Sequence, residues 1–333
     1  MGRRRHLQGA EFIVSLMVFM VALSWVKNEI WAAEVKYPTR PIQIVVAYQP
    51  GSTDVSVRPY TEKLPDYLGQ PVAFVYKPGA SGAVGASFVS KARADGYTLF
   101  ATPPAPIITA PLTQEGLDYT LEDFAPIARL VSSPIVLATQ ANSPLKNLKD
   151  MIQEAKKSPG KITFSSAGVF STTQIPVEIF AKLAGITLTH VPCPGANPAV
   201  TALLGGHVTL AVSSMAALSP HLKSKSLRAV AVFEKERLKE FPDAPTFSEL
   251  GYPVIYFQWH GILAPKKTPE AIRKQLYLSL KKVLDTNRKF IEDRLANISL
   301  QVDFLGLEEF GAFLKEENET ARKIVKELQA AGK

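Results

Sequence analysis

The stretch KITFSSAGVFSTTQIPVEIFAKLAGITLTHVPCPGANPAVTALLGGHVTLAVSS, residues 161–214, decides the fold. It holds three short runs rich in β-branched residues, KITFSS (161–166), TLTHV (187–191) and VTLAVS (208–213). Between them lie two runs with apolar residues at helical spacing, TQIPVEIFAKLAG (173–185) and NPAVTALLGG (197–206). Strand and helix in alternation predict βαβ units and a mostly parallel sheet. The pattern continues upstream, with predicted strands IQIVVAY (42–48), PVAFVY (71–76) and YTLFAT (97–102), and predicted helices over 83–93 and 145–158. Downstream come strands over 227–233 and 256–265, then helices over 269–285 and 307–329. Residues 103–116 are Pro-rich and predicted irregular. A helix over 54–69 is expected to be interrupted by Pro59 and Pro65.

At 333 residues the chain suggests two domains. The one cysteine, Cys193, excludes an internal disulfide and a multi-cysteine metal site, and it reads as a small buried residue. The N-terminus has the layout of an export signal. A basic GRRRH precedes the apolar run FIVSLMVFMVALSWV (12–26), and small residues follow for cleavage near Ala32 or Ala33. That run is shorter than the ~20 residues of a spanning helix. Export with removal is the reading, with an uncleaved anchor as the alternative. Residues 1–33 hold four basic and two acidic residues, so the 38 and 30 of the whole chain become 34 and 28. No aromatic–basic interleaving or reader motif accompanies this mild positive charge, which excludes nucleic-acid binding as the expectation. It can steer anionic solutes.

Catalytic motifs fail on inspection. GASGA (79–83) lacks the last glycine of a nucleophile elbow. GASGAVG (79–85) is not a dinucleotide fingerprint, and no phosphate-binding P-loop sequence occurs. SPLK (143–146) has no companion motifs. His190 and Cys193 form an H-x-x-C pair without the further ligands a zinc site needs. His190 reads as a strand-end residue. No metal and no cofactor are expected.

The segment from Gly168 to Thr173 places hydroxyls just ahead of a helix. Ser and Thr there can cap the helix. They can also, with the exposed N–H groups, cradle a carboxylate or phosphate. The residues alone leave both open.

Six blocks in order resemble one family. They are YPTRPIQIVVAYQPGSTD (37–54), KPGASGAVGA (77–86), ADGYTLF (94–100), FSSAGVFSTTQ (164–174), HVPCPGANPAVTALLGGHV (190–208) and GILAPKKTP (261–269). Together they resemble the Bug proteins, periplasmic substrate-binding receptors of tripartite tricarboxylate transporters. The resemblance implies an α/β periplasmic-binding-protein-like fold of type II character, with two domains, a hinge and an interdomain ligand cleft. It divides the chain into a signal peptide (1–33), a discontinuous domain 1 (34–139 plus 258–333) and domain 2 (140–257). It implies a non-enzymatic periplasmic receptor, expected to be a monomer, that captures a small di-, tri- or aromatic carboxylate and hands it to membrane permease subunits. A sensor subunit signalling to a membrane partner, or an exported enzyme using the same cleft, are the alternatives. The ligand carboxylate would be held by loop amides, hydroxyls and water. Ser52 and Thr53 are the donors of the first loop, Tyr48 lines its wall, and Asp54 acts as a cap. Gly168, Ser171, Thr172 and Thr173 form the second loop. The sequence departs from the family at four points. The first loop is a residue shorter than the usual Gly-Gly-x-Thr-Asp form, with Ser52 in a glycine-rich place. Phe170 stands for a common Gly, Gln174 for a common His, and Ser213 for a frequent Asp. Phe170 and Ser213 lean toward a carboxylate with an apolar or aromatic body rather than an amino acid.

Overall fold

The computed structural model describes residues 37–330. The expected signal segment and its cleavage point lie outside them. Contacts divide the chain between Thr39 and Arg40, and the second unit, from Arg40 onward, carries the fold.

Along that unit run β1 (Ile42–Val46), α1 (Ser52–Thr61), β2 (Val72–Tyr76), α2 (Ala83–Ser90), β3 (Thr98–Thr102) and β4 (Phe124–Gln140). Next come α3 (Leu148–Lys157), β5 (Thr163–Ser166), α4 (Ile175–Ala184), β6 (Thr189–Pro192), α5 (Ala196–Leu204), β7 (Leu210–Ser214) and α6 (Met215–Lys223). The chain ends with β8 (Leu227–Val232), β9 (Phe257–Pro265), α7 (Glu270–Ala296), β10 (Gln301–Leu305) and α8 (Leu307–Ala330). The strands form a continuous, curled sheet in the order β2-β1-β3-β9-β4-β7-β5-β6, with β10 and β8 also on β4. This is the α/β periplasmic-binding-protein fold.

Strand β4 is the backbone of the arrangement. Its first part, up to Pro134, pairs with β9, and Arg129 to Ser132 also pair with β10. From Ile135 onward it pairs with β7 and β8. Nearly all its residues are buried, as for a strand covered on both faces. No strand is expected from the sequence over 124–140, and prolines inside a run generally argue against one. The structure accommodates both. Pro126 sits beside a register shift against β9, and Pro134 is the last residue before the partners change.

The direction of the strands follows from these pairings. β1 runs parallel to β3, β3 antiparallel to β9, and β9 antiparallel to β4, so β1 and β4 point the same way. β7 is antiparallel to β4 and β5 is parallel to β7, so β5 points back. The carboxyl end of β1 therefore faces the part of the sheet built on the second half of β4. The carboxyl end of β5 faces the first.

Separate cores support the two parts. Val45, Phe100, Ile107, Phe124, Trp259 and Phe310 form one. Phe164, Phe180, Leu210, Phe233 and Phe247 form another, in which the Phe233 and Phe247 rings stack at 4.0 Å. Burying side chains of this size contributes ~1.5–3 kcal/mol each. A third cluster, with Val136, Leu203, Met215 and Leu218, covers the other face of the second part.

Candidate functional site

The first loop leaves β1 at Val46. Its position is held by α2, which approaches so closely that a Cβ on Gly85 would lie 2.8 Å from Ala47 Cα. Only glycine permits that contact. Tyr48 is half-buried and its hydroxyl donates to the Ser81 carbonyl at 3.1 Å. Burial, with a smaller contribution from Tyr119, raises its pKa. Ser52 is the first residue of α1, and Thr53 is buried one residue on.

Gly51, not Asp54, occupies the N-cap position of α1. Asp54 acts from three residues further along. Its carboxylate accepts from the Gly51 N–H at 2.6 Å, from Arg58 Nη2 at 2.8 Å and from the Tyr76 hydroxyl at 3.1 Å. This is the reach-back half of a capping box. Burial pushes the Asp54 pKa up, but the Gly51 N–H and the Arg58 and Tyr76 bonds together outweigh it, and the net shift is downward. Arg58 is thereby committed to structure.

The second loop leaves β5 at Ser166 and enters α4, whose own first turn carries Pro176 and which ends on the left-handed Gly185. Gly168 has φ 137° and Phe170 has φ 55°, so both lie in the region that favours glycine. The Phe170 N–H donates to Gln174 Oε1 at 2.6 Å, and the ring is half-buried. Ser171 caps the turn into the helix, its Oγ accepting from the Gln174 N–H at 3.2 Å. Thr173 Oγ1 accepts from the Ala167 N–H at 2.9 Å and lies 3.0 Å from Ser171 Oγ. Ser171 thus braces the turn ahead of the helix, whose N-cap is Gln174 without a side-chain cap bond. The hydroxyls largely hold the loop, while the backbone N–H groups of Thr172 and Thr173 have no acceptor among the described residues. Ser213, on β7, is fully buried and its hydroxyl donates to the Ala196 carbonyl at 3.5 Å.

His190 is more than a strand-end residue. Its Nε2 lies 2.7 Å from Ser166 Oγ, and its ring stacks on Phe164 at 4.9 Å. The register of β5 on β6 puts Phe164 opposite His190. Writing KITFSS beside TLTHVP in parallel register would have brought His190 next to Ser166. Cys193 is half-buried rather than buried.

Neither 48–54 nor 168–174 contains Lys, Arg or His. Each loop sits at a strand's carboxyl end and before a helix, where ligands of open α/β sheets bind. The strand directions turn both loops toward the boundary between the two parts of the sheet, from opposite sides. A helix N-terminus presents partial positive charge and unpaired donors. The arrangement can therefore grip an anion without a cationic side chain. A cavity of about 810 Å³ is lined by none of these loop residues but by Arg129, Glu234, Arg237, Asp303 and Phe313 among others. Arg129 Nη2 lies 2.6 Å from Asp303 with the guanidinium over the Phe257 and Phe313 rings, and Arg237 pairs with Glu249 at 2.6 Å. Among the described residues no cluster of His, Cys, Asp and Glu could hold a metal ion, and no helix is long and apolar enough to cross a membrane.

These features define a periplasmic-binding-protein-type solute receptor. Residues 57–330 match the tripartite tricarboxylate transporter family receptor, and the chain belongs to that family. It is 37% identical to Protein BugT of Bordetella pertussis over 240 residues, 71% of this chain and 74% of BugT. Among solved structures it is similar to MatC from Rhodopseudomonas palustris with bound malate, at 26% identity and TM-score 0.73, covering 87% of this chain and all (100%) of that one. It is also similar to an R. palustris protein with adipate, at 26% identity and TM-score 0.75, covering 87% of this chain and 97% of that one. The family is one of periplasmic receptors, not of enzymes.

Proposed function

We propose that this protein is a periplasmic receptor that captures a small organic carboxylate for a tripartite tricarboxylate-type transporter, without catalysing a reaction. The observation that carries the reading is the pair of cation-free loops at opposed helix starts. The malate and adipate bound by similar proteins point to the same ligand class. In this reading the amides of Thr53 and Asp54, at the first turn of α1, and those of Thr172 and Thr173 grip the carboxylate. Ser52, Ser171 and Thr173 add hydroxyl contacts or shape, and Gly168 lets the second loop approach. Tyr48 and Phe170 line the wall, and Ser213 supports the floor from β7 through its bond to Ala196 at the start of α5. The lobes divide where β4 changes partner, at 134/135, and where β9 begins, at 256/257, close to the 139/140 and 257/258 of the sequence reading. The mature chain is exported, cleaved near Ala32 or Ala33, and works as a monomer that docks on membrane permease subunits when closed.

A thermal-shift screen of the mature chain against malate, adipate, citrate and benzoate tests the reading. A ligand at 100 times its Kd adds about 2.7 kcal/mol to stability, so the binder raises the melting point by several degrees. A folded protein whose midpoint no carboxylate moves would refute it.

A further inference from the structure

Gln174 stands at the head of α4 and is buried, at 2% exposure, where a primary amide is seldom found. Its base is fixed. The Gln174 N–H donates to the Ser171 carbonyl at 3.0 Å and lies 3.2 Å from Ser171 Oγ. Its tip is fixed too. Oε1 accepts from the Phe170 N–H at 2.6 Å, and Nε2 donates to Glu178 Oε1 at 3.4 Å, one turn further along α4. A backbone N–H can only donate, so the amide oxygen must face Phe170 and the amide nitrogen must face Glu178. The flipped amide would lose the Phe170 bond.

Phe170 needs this hold. It is a non-glycine residue at φ 55°, a conformation that costs an L side chain energy. Val169 before it is 55% exposed, so the tip of the loop has little packing of its own. The Phe170 N–H is directed inward, to a buried acceptor, whereas those of Thr172 and Thr173 have no acceptor among the described residues. The same Cα carries the ring, so the bond that fixes this peptide also fixes where the ring stands.

We propose that Gln174 is a positioning residue that selects ligands through Phe170: by accepting the Phe170 N–H it pins the left-handed turn, and with it the ring that forms the cleft wall. The preference between aliphatic and aromatic carboxylates is then set at 174 as much as at 170. This rests on the reading of the second loop as a carboxylate site. Without the acceptor, an inward-facing N–H has no partner, and the turn rotates to bring it to water. Gln174→Leu removes the acceptor and keeps an apolar side chain of similar reach. Gln174→Glu keeps an acceptor oxygen for Phe170, with a second carboxylate beside Glu178.

Two measurements on the mature chain test this. Amide hydrogen exchange by NMR is expected to show the Phe170 N–H protected in the ligand-free parent and in Gln174→Glu, and at least about tenfold less protected in Gln174→Leu. An unprotected Phe170 N–H in the parent overturns the proposal. Calorimetry with adipate and benzene-1,4-dicarboxylate, two diacids of like charge, gives their ratio of Kd values. Gln174→Leu is expected to shift that ratio about fivefold or more, while Gln174→Glu leaves it within about twofold even as both ligands bind more weakly. In a Phe170→Gly background, Gln174→Leu is expected to leave the ratio where Phe170→Gly has put it, because the ring it acts through is gone. A merely structural role would weaken both diacids alike. Circular dichroism checks that each variant folds. An unmoved ratio in Gln174→Leu, or a further shift in the double variant, would refute the role of Gln174 while leaving the receptor reading intact. If the parent binds neither diacid, the functional reading fails and the selectivity role falls with it.

Discussion

Replacing Asp54 by Ala tests the first loop where its construction is most explicit. The carboxylate is almost fully buried, at 3% exposure, and takes three donors: the Gly51 N–H, Arg58 and Tyr76. Arg58 is 43% exposed, so water replaces most of what it loses, and its share is under about 1 kcal/mol. The amide and phenol bonds to a buried charge contribute more, at ~1–2 kcal/mol each. The sum is about 2–4 kcal/mol, or roughly 5–12 °C in the melting point of a chain this size. Asp54→Asn keeps an acceptor for Gly51 and should lose about half as much. The pH dependence has a definite sign. The lowered pKa means the stabilisation is complete above the ordinary carboxylate range, and is lost as pH falls through the folded value. The parent and Asp54→Ala curves should therefore converge at strongly acidic pH. Thermal melts by circular dichroism between pH 3 and 8 measure both effects. An Asp54→Ala variant melting within about 2 °C of the parent at pH 7 would show that these bonds do not hold the loop.

Phe170→Gly removes an L-residue from a left-handed conformation, worth roughly 1–2 kcal/mol, against the lost burial of a half-exposed ring. The melting point should stay within a few degrees while the ranking of aliphatic against aromatic carboxylates changes in calorimetry; an unchanged ranking rejects the aromatic-wall role. Glu317 accepts from Trp259 Nε1 at 2.7 Å, and burial pushes its pKa up to about 7, against the opposing pull of that bond and of Arg129. Its folded form holds a proton that the unfolded form has released, so stability falls as pH rises from about 4.5 to 7. Glu317→Gln should gain about 1–3 kcal/mol at pH 8 and almost nothing at pH 4, and melts showing equal gains at both would refute the assignment.

The alternation of strands and helices was legible because β-branched runs and helical spacing are local properties. All the strands named from 161–214 are present, with ends shifted by one or two residues. What local pattern hides is the role of a residue set by partners far along the chain. β4 is the longest strand and the axis of the fold, yet Pro126 and Pro134 disguise it; only the partner change at Pro134 explains why a proline is tolerated there. Helix α7 runs on to Ala296 beyond its readable part, carried by buried Ile291 and Leu295 and by the exposed pairs Lys281–Asp285, Arg288–Glu292 and Lys289–Asp293. The loops show the same division. Their hydroxyl-rich composition is visible in FSSAGVFSTTQ, but not that Ser171 and Thr173 spend their acceptor sites on Gln174 and Ala167. Donor inventory is a property of sequence, and donor availability is a property of the fold.

That distinction bears on how such a receptor binds and releases its solute. Each loop offers about two free amides, and a charge-assisted bond contributes ~1.5–3 kcal/mol. One loop alone therefore supplies about 3–6 kcal/mol, less than the 8.2 kcal/mol of a micromolar complex. Both loops together supply about 6–12 kcal/mol, a range that brackets that mark. They belong to parts of the sheet whose strands run in opposite directions, and they meet one carboxylate only if the two parts approach. In the proposed function, occupancy and closure are then a single event, because the half-site on either lobe is too weak to hold the ligand by itself. A lysine or arginine on one loop would remove that coupling, since one lobe could then retain the anion in the open state. In the proposed function, the absence of a cation from 48–54 and 168–174 would let a membrane partner read closure as a report of loading.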